Sequence, residues 1–179
     1  MADFQPAFDF IMQSEDAQRK YQTVSDPTKD DPTAQAISGI NSAAWPEDFA
    51  KIAEIEPEQD RAARVEGFYL LRFWDPLQLD ALSNQDLANR VLDSAVNQGA
   101  GTAIKILQQA LNHLEDVDSL DTHTAPEYLA VDGAMGPLTI VAANECGIGL
   151  LAAFRDYRCM AYRRIGGPNL SAWIKRAER

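Results

Sequence analysis

Apolar residues in this chain recur at helical spacing, segment after segment, and one long stretch departs from that pattern. Phe4, Phe8, Ile11 and Met12 make a first stripe. Ala62, Val65, Tyr69 and Phe73 share a second face, widened by Leu70 and Trp74. Leu87, Val91 and Ala95, supported by Leu92, make a third, and Ile104, Leu107 and Leu111 a fourth. The exception is QTVSDPTKDDPTAQAISGINSAAWP at 22–46, dense in Asp, Pro, Thr and Ser. Its two Asp-Pro pairs read as turns, because the residue before a proline is pushed away from helix. The pattern predicts a mainly α fold: a helical bundle with a short irregular loop or β-hairpin after the first helix.

Punctuation places the elements. The first helix is expected over 5–21 and another over 47–54. Pro57 suits the first turn of the next, which Asp75-Pro76 stops. Ser83 with Asp86 approaches a capping box for the helix that follows. Asn97–Gly101 interrupts it, and a helix from 102 to 114 comes next. Residues 115–130 are acidic and turn-rich and read as an insertion. VDGAMGP is a tight turn, with helices expected at 137–145, 147–164 and 168–177. No repeat of 20–50 residues and no low-complexity tract occurs.

The net charge is −11, unevenly spread. Residues 155–179 hold seven Lys/Arg and two Asp/Glu, so the first 154 carry −16. An acidic chain of this kind has no general field for nucleic acid, and its charge does not attract it to anionic cell wall. The basic C-terminal segment reads as a solvated helix face. No apolar run approaches the roughly 18–20 residues of a membrane span. The N-terminal MADFQPAFDF lacks a basic region and an apolar core, so no Sec signal is expected. The protein is then made in the cytoplasm. Action at the wall or in the periplasm requires release by a holin or a secretion system. Cys146 and Cys159 form no disulfide framework and lack partner ligands for zinc; buried free thiols are expected. His113 and His123 have no metal-site spacing and no Ser–His–Asp signature accompanies them. No metal and no cofactor is expected, and hydrolytic chemistry would rest on carboxylates.

One carboxylate is out of place. Glu15 follows Phe8 by seven residues, Ile11 by four and Met12 by three, which puts it on the apolar stripe. A carboxylate there is costly unless it is paired, neutral or facing a cleft. It is either a helix-end residue paired with Arg19 or Lys20, or an acid catalyst.

Several stretches, in order, resemble the glycoside hydrolase family 108 muramidases with their linked peptidoglycan-binding region. VLDSAVNQGAGTAIKILQQAL at 91–111 is similar to the family's Asp, Ala-Val-Asn, paired glycines and Leu-Gln-x-Ala-Leu. VDGAMGPLT at 131–139 resembles the Asp-Gly-x-hydrophobic-Gly-Pro-x-Thr turn of the binding region, and YLLRFWDP at 69–76 the Tyr-Trp-Asp helix end. At the N-terminus Glu15 occupies the glutamate position of the family's Glu-Gly-Gly-Tyr. Asp26-Pro27 and Asp31-Pro32 take its two Asp-Pro positions, and Gly39-Ile40 closes the pattern. The residues between depart from it. Asp16 and Ala17 replace the first glycines, Thr33 and Ala34 the later pair, Ala36 the threonine and Ile37 the asparagine.

The resemblance implies a lysozyme-like α+β fold and cleavage of the bond between N-acetylmuramic acid and N-acetylglucosamine. A protonated acid must serve the leaving oxygen, and the resemblance gives that role to Glu15. It gives the second carboxylate to Asp31, with Asp26 and Asp30 as neighbours that can substitute. Ser38 is the hydroxyl nearest the missing threonine. Expected substrate-binding residues are Asn97, Asp93, Trp74 and Tyr69. Asn97 can meet an acetamido group or cap its helix; Trp74 can stack on a sugar or fill the core. The implied division is a catalytic region over 1–101 and a helical peptidoglycan-binding-type region over 102–179 packed on it. The rebuilt loop leaves a second reading open: a muramidase-like domain without catalysis that binds peptidoglycan or a protein partner. A third, an unrelated helical interaction protein, requires the motifs to coincide by chance.

Overall fold

The computed structural model describes residues 1–122 and 128–179, with side chains described outside 117–127. His123 therefore lies outside the described residues. Among the described residues the chain is mainly helical, with one small sheet. Packing divides it into two units, residues 8–72 and residues 1–7 with 73–179.

The smaller unit holds most of α1 (Phe4–Glu15), three short strands, α2 (Pro46–Ala53) and α3 (Ala62–Tyr69). The segment read as a loop or hairpin is a three-stranded antiparallel sheet: β1 (Thr23–Ser25), β2 (Gln35–Ile37) and β3 (Ile40–Asn41). Val24 pairs with Ala36, and Ala36 with Asn41. Its buried side chains include Phe8, Ile11, Met12, Ile37, Ile40, Ile52, Val65 and Phe68, whereas those of β1 are exposed. The first helix stops six residues before its expected end, because the turn after it is built on Asp16. Pro57 does not open an α-helix directly. A 3₁₀ turn (Glu58–Arg61) comes first, and a π turn (Leu70–Trp74) follows α3.

The larger unit holds α4 (Gln85–Gln98), α5 (Ala100–Thr122), α6 (Pro137–Glu145), α7 (Leu150–Ile165) and α8 (Leu170–Glu178). Asn84, not Ser83, caps α4, its side chain accepting from Leu87 N at 3.0 Å. The break expected over five residues narrows to Gly99, at φ +88°. A left-handed position suits glycine and lets the next helix begin at once. That helix runs through Thr122, so the first half of the expected acidic insertion is helical. Leu87, Val91, Leu92, Ile104, Leu107 and Phe154 form the interior of this unit.

Neither cysteine is in a disulfide; Cys159 is buried, whereas Cys146 is only half-buried. Burial pushes the Cys159 thiol up from its ordinary value. No helix among the described residues is long and apolar enough to cross a membrane.

Candidate active site

Glu15 is the last residue of α1 and is half-buried. The carboxyl group lies directly over the backbone of Gly39, in the turn between β2 and β3. A Cβ at Gly39 would stand 2.9 Å from Glu15 Cδ and 2.8 Å from Tyr69 Oη, and would press on Glu15 Oε2. Gly39 also sits at φ +81°, so the position needs glycine on both counts. Tyr69, buried on α3, donates from its hydroxyl to the Ser38 carbonyl at 2.7 Å. Its ring leans on Phe8. Helix end, turn and Tyr69 thus converge on one carboxyl group.

The departure at Asp16 is what holds this arrangement. Asp16 Oδ1 accepts from Lys20 N at 3.1 Å, and Oδ2 from Tyr21 N at 2.8 Å. Ser38 Oγ donates to Oδ2 at 2.9 Å. One side chain closes the turn after α1 and ties it to the β2–β3 turn. Arg19 and Tyr21 in that turn, and Ser38 across from it, all take positive φ, a conformation that persists only when the surroundings impose it. Arg19 pairs with Asp9 and lies over the Phe8 ring.

Asp31 organises the second Asp-Pro turn. Its Oδ1 accepts from Thr33 N at 2.9 Å and from Thr33 Oγ1 at 2.7 Å. The Thr33 hydroxyl, with its backbone N–H, holds the Asp31 carboxyl below the usual carboxylate range. Thr33 therefore does bonding that a glycine could not. Asp26 accepts from Asn41 Nδ2 at 2.7 Å, which ties it to β3, while Asp30 is exposed. Ala36 and Ile37 are buried in β2. The threonine and asparagine positions of the pattern have become core.

Arg61 was not singled out from the sequence. Buried, it donates to Tyr21 O at 3.0 Å, Ile55 O at 3.0 Å and Ala53 O at 3.1 Å, and to Glu56 at 2.7 Å. It lies four residues before Val65, on the apolar face, and that spacing was its signal.

The other expected residues lie in the larger unit. Trp74 is buried, edge-on to Phe4 at 5.6 Å. Asp93 is fully buried. Its Oδ2 accepts from Arg158 Nη2 at 2.6 Å and its Oδ1 from Arg176 Nη2 at 2.8 Å, with Arg179 Nη2 at 3.5 Å. Three of the seven C-terminal cations thus converge on one carboxylate, where a solvated face was expected. Asn97 is exposed and its Oδ1 accepts from Tyr162 Oη at 2.6 Å; Gly99, not Asn97, is the helix cap. Burial pushes the Tyr162 hydroxyl up, against the pull of Arg158. The DGAMGP turn is fixed by Gln108. This amide donates to Asp132 Oδ1 at 2.8 Å and Ala134 O at 3.1 Å and accepts from Gly133 N at 3.0 Å. Among the described residues no cluster of His, Cys, Asp and Glu has the makings of a metal site.

No curated protein matches this chain. The solved structure of SagA from Brucella abortus is similar in fold, with a TM-score of 0.67 at 19% identity, covering 98% of this chain and 90% of that one. The sequence profile of glycosyl hydrolase 108 matches residues 9–99, from the middle of α1 through the end of α4. With half its length in that match, the chain belongs to the glycosyl hydrolase 108 family, lysozyme-like glycosidases directed at peptidoglycan.

Proposed function

We infer that the protein is an N-acetylmuramidase whose general acid is Glu15. The observation that carries this reading is the seating of the Glu15 carboxyl over Gly39, half-buried, beside the Tyr69 hydroxyl. A general acid must be held at a fixed point and must keep its proton until the leaving oxygen takes it. Asp31 is the complementary group: bonded to Thr33, it is ionised and fit to face positive charge developing at the sugar. Two carboxylates in unlike environments are what acid-assisted glycoside cleavage requires. Ser38 retains acceptor capacity at its hydroxyl, enough to orient a water. Asn97, exposed on α4, can offer its amide to an acetamido group, whereas Trp74 and Asp93 are buried. The bound partner is a peptidoglycan glycan strand, reached after export through a holin or a secretion system.

A second reading is supported by the same loop. Ser38 donates to Asp16 and Asp31 accepts from Thr33, so both polar groups have protein partners. A site closed in this way suits a domain that binds wall or a protein partner without cleaving. The two readings separate in one assay: release of reducing ends from purified Gram-negative peptidoglycan. The muramidase releases them, and Glu15→Gln lowers the rate by at least about 10²-fold with its melting temperature unchanged. Equal release by both proteins removes Glu15 from the mechanism. Pelleting with wall but no release by either favours the binding module.

A further inference from the structure

The α6 helix carries apolar residues on its outer side as well as its inner one. Thr139 and Ala143 face inward and are buried, yet Leu138 is 75% exposed and Val141 49% exposed on the outer side. An outward apolar side is unusual for a surface helix, whose outer residues are ordinarily polar, and this one is bare. The bare face is one wall of a groove of about 420 Å³, with Leu114 and Leu129 on the opposite side. Tyr128, 58% exposed, stands at its mouth and donates to Asp116. The rim is acidic: Glu115 and Glu145 line the groove, and no Lys or Arg is among its described lining residues. Sequence extends the point. From Ile106 to Phe154 the chain has seven Asp/Glu and no Lys or Arg.

We propose that this groove, formed by α6, residues 111–115 of α5 and residues 128–129, is a docking surface for a cationic amphipathic helix of another protein. The apolar walls take the helix's Leu-type face, and the carboxylates take the Lys or Arg beside it, the helix-in-groove mode of recognition. Charge complementarity selects this occupant. An anionic glycan would meet Glu115 and Glu145 with no Lys or Arg among the groove's described lining residues, and a second copy of so acidic a chain would bring like charge toward the same rim. The surface lies wholly within the larger unit and does not depend on the catalytic reading.

The test uses the whole protein and a labelled peptide of about 18 residues, long enough to form a helix, with leucines on one face and lysines on the other. A peptide of the same composition, scrambled so that no face forms, is the control. Fluorescence anisotropy is expected to give micromolar binding of the first peptide. Binding should weaken about tenfold in Leu138→Gln/Val141→Gln, and by a similar factor in Glu115→Gln/Glu145→Gln. Should the first double variant melt early, Leu138→Gln alone gives the same reading, since most of that side chain is in solvent. Equal binding of the scrambled peptide, or indifference to Leu138→Gln, overturns the proposal. So does a wild-type dimer in sedimentation that dissociates in the Leu138→Gln variant, which would make a second copy the occupant. Loss of wall pelleting in that variant would make it a peptidoglycan face and overturn it equally.

Discussion

At Gly39 a single missing Cβ decides where a carboxyl group can sit. Glu15 and Tyr69 fill the space that any other residue would occupy. Gly39→Ala meets both a strained φ and a filled volume. It should cost about 2–4 kcal/mol, the sum of a left-handed alanine and an overpacked contact, read from urea unfolding. The variant should also lose wall hydrolysis beyond what its stability explains, because relief of the clash moves Glu15. Asp16 carries the opposite lesson. It stands where the family pattern has a permissive glycine, and the chain replaces backbone freedom by three hydrogen bonds to one carboxylate. Sequence comparison marked Asp16 as a loss, whereas its geometry makes it an anchor. That distinction was invisible because Ser38, its partner, is 22 residues away.

Among the elements, the two aspartate turns answer to pH in the same direction. Asp31 is held low by Thr33, and Asp132 by the Ala134 N–H and then by Gln108. A carboxyl with a depressed folded value stabilises the fold fully above its unfolded value, near 3.8, and loses that contribution as pH falls through the lower folded value. The urea midpoint should therefore hold steady down to about pH 4 and fall below it. In Thr33→Val the Asp31 titration, followed by NMR, should move up toward 3.8. Helical spacing placed α2, α4 and α6 within a residue or two, because a stripe of apolar residues and a proline or glycine stop are local facts. The small sheet was seen only as irregularity, since strands of two or three residues have no period to read. The length of α5 was missed for a different reason. Acidic, turn-forming residues after 114 argue against helix one by one, and the chain continues the helix through them. The place of Glu15 on the apolar stripe was legible; the turn over which its carboxyl sits was not, because Gly39 lies 24 residues later.

On the scale of the whole molecule, the larger unit is discontinuous in sequence and is closed by Asp93. Arg158 and Asp93 are both buried, and Arg176 reaches the same carboxylate from α8. Removing the negative charge leaves Arg158 buried without compensation. Asp93→Asn should destabilise by about 3–5 kcal/mol, measured by chemical denaturation. Asp93→Leu combined with Arg158→Met should recover much of that loss, as a pair of apolar groups can replace a buried ion pair. The same cluster sets an order of events during synthesis. Asp93 precedes Arg176 by 83 residues, so it is translated about 4–17 s earlier at ordinary ribosome speeds. Residues 8–72 are complete by then. The larger unit must wait with a charge it cannot yet bury, and a nascent chain that stalls before α8 would present that defect to the cell's proteases.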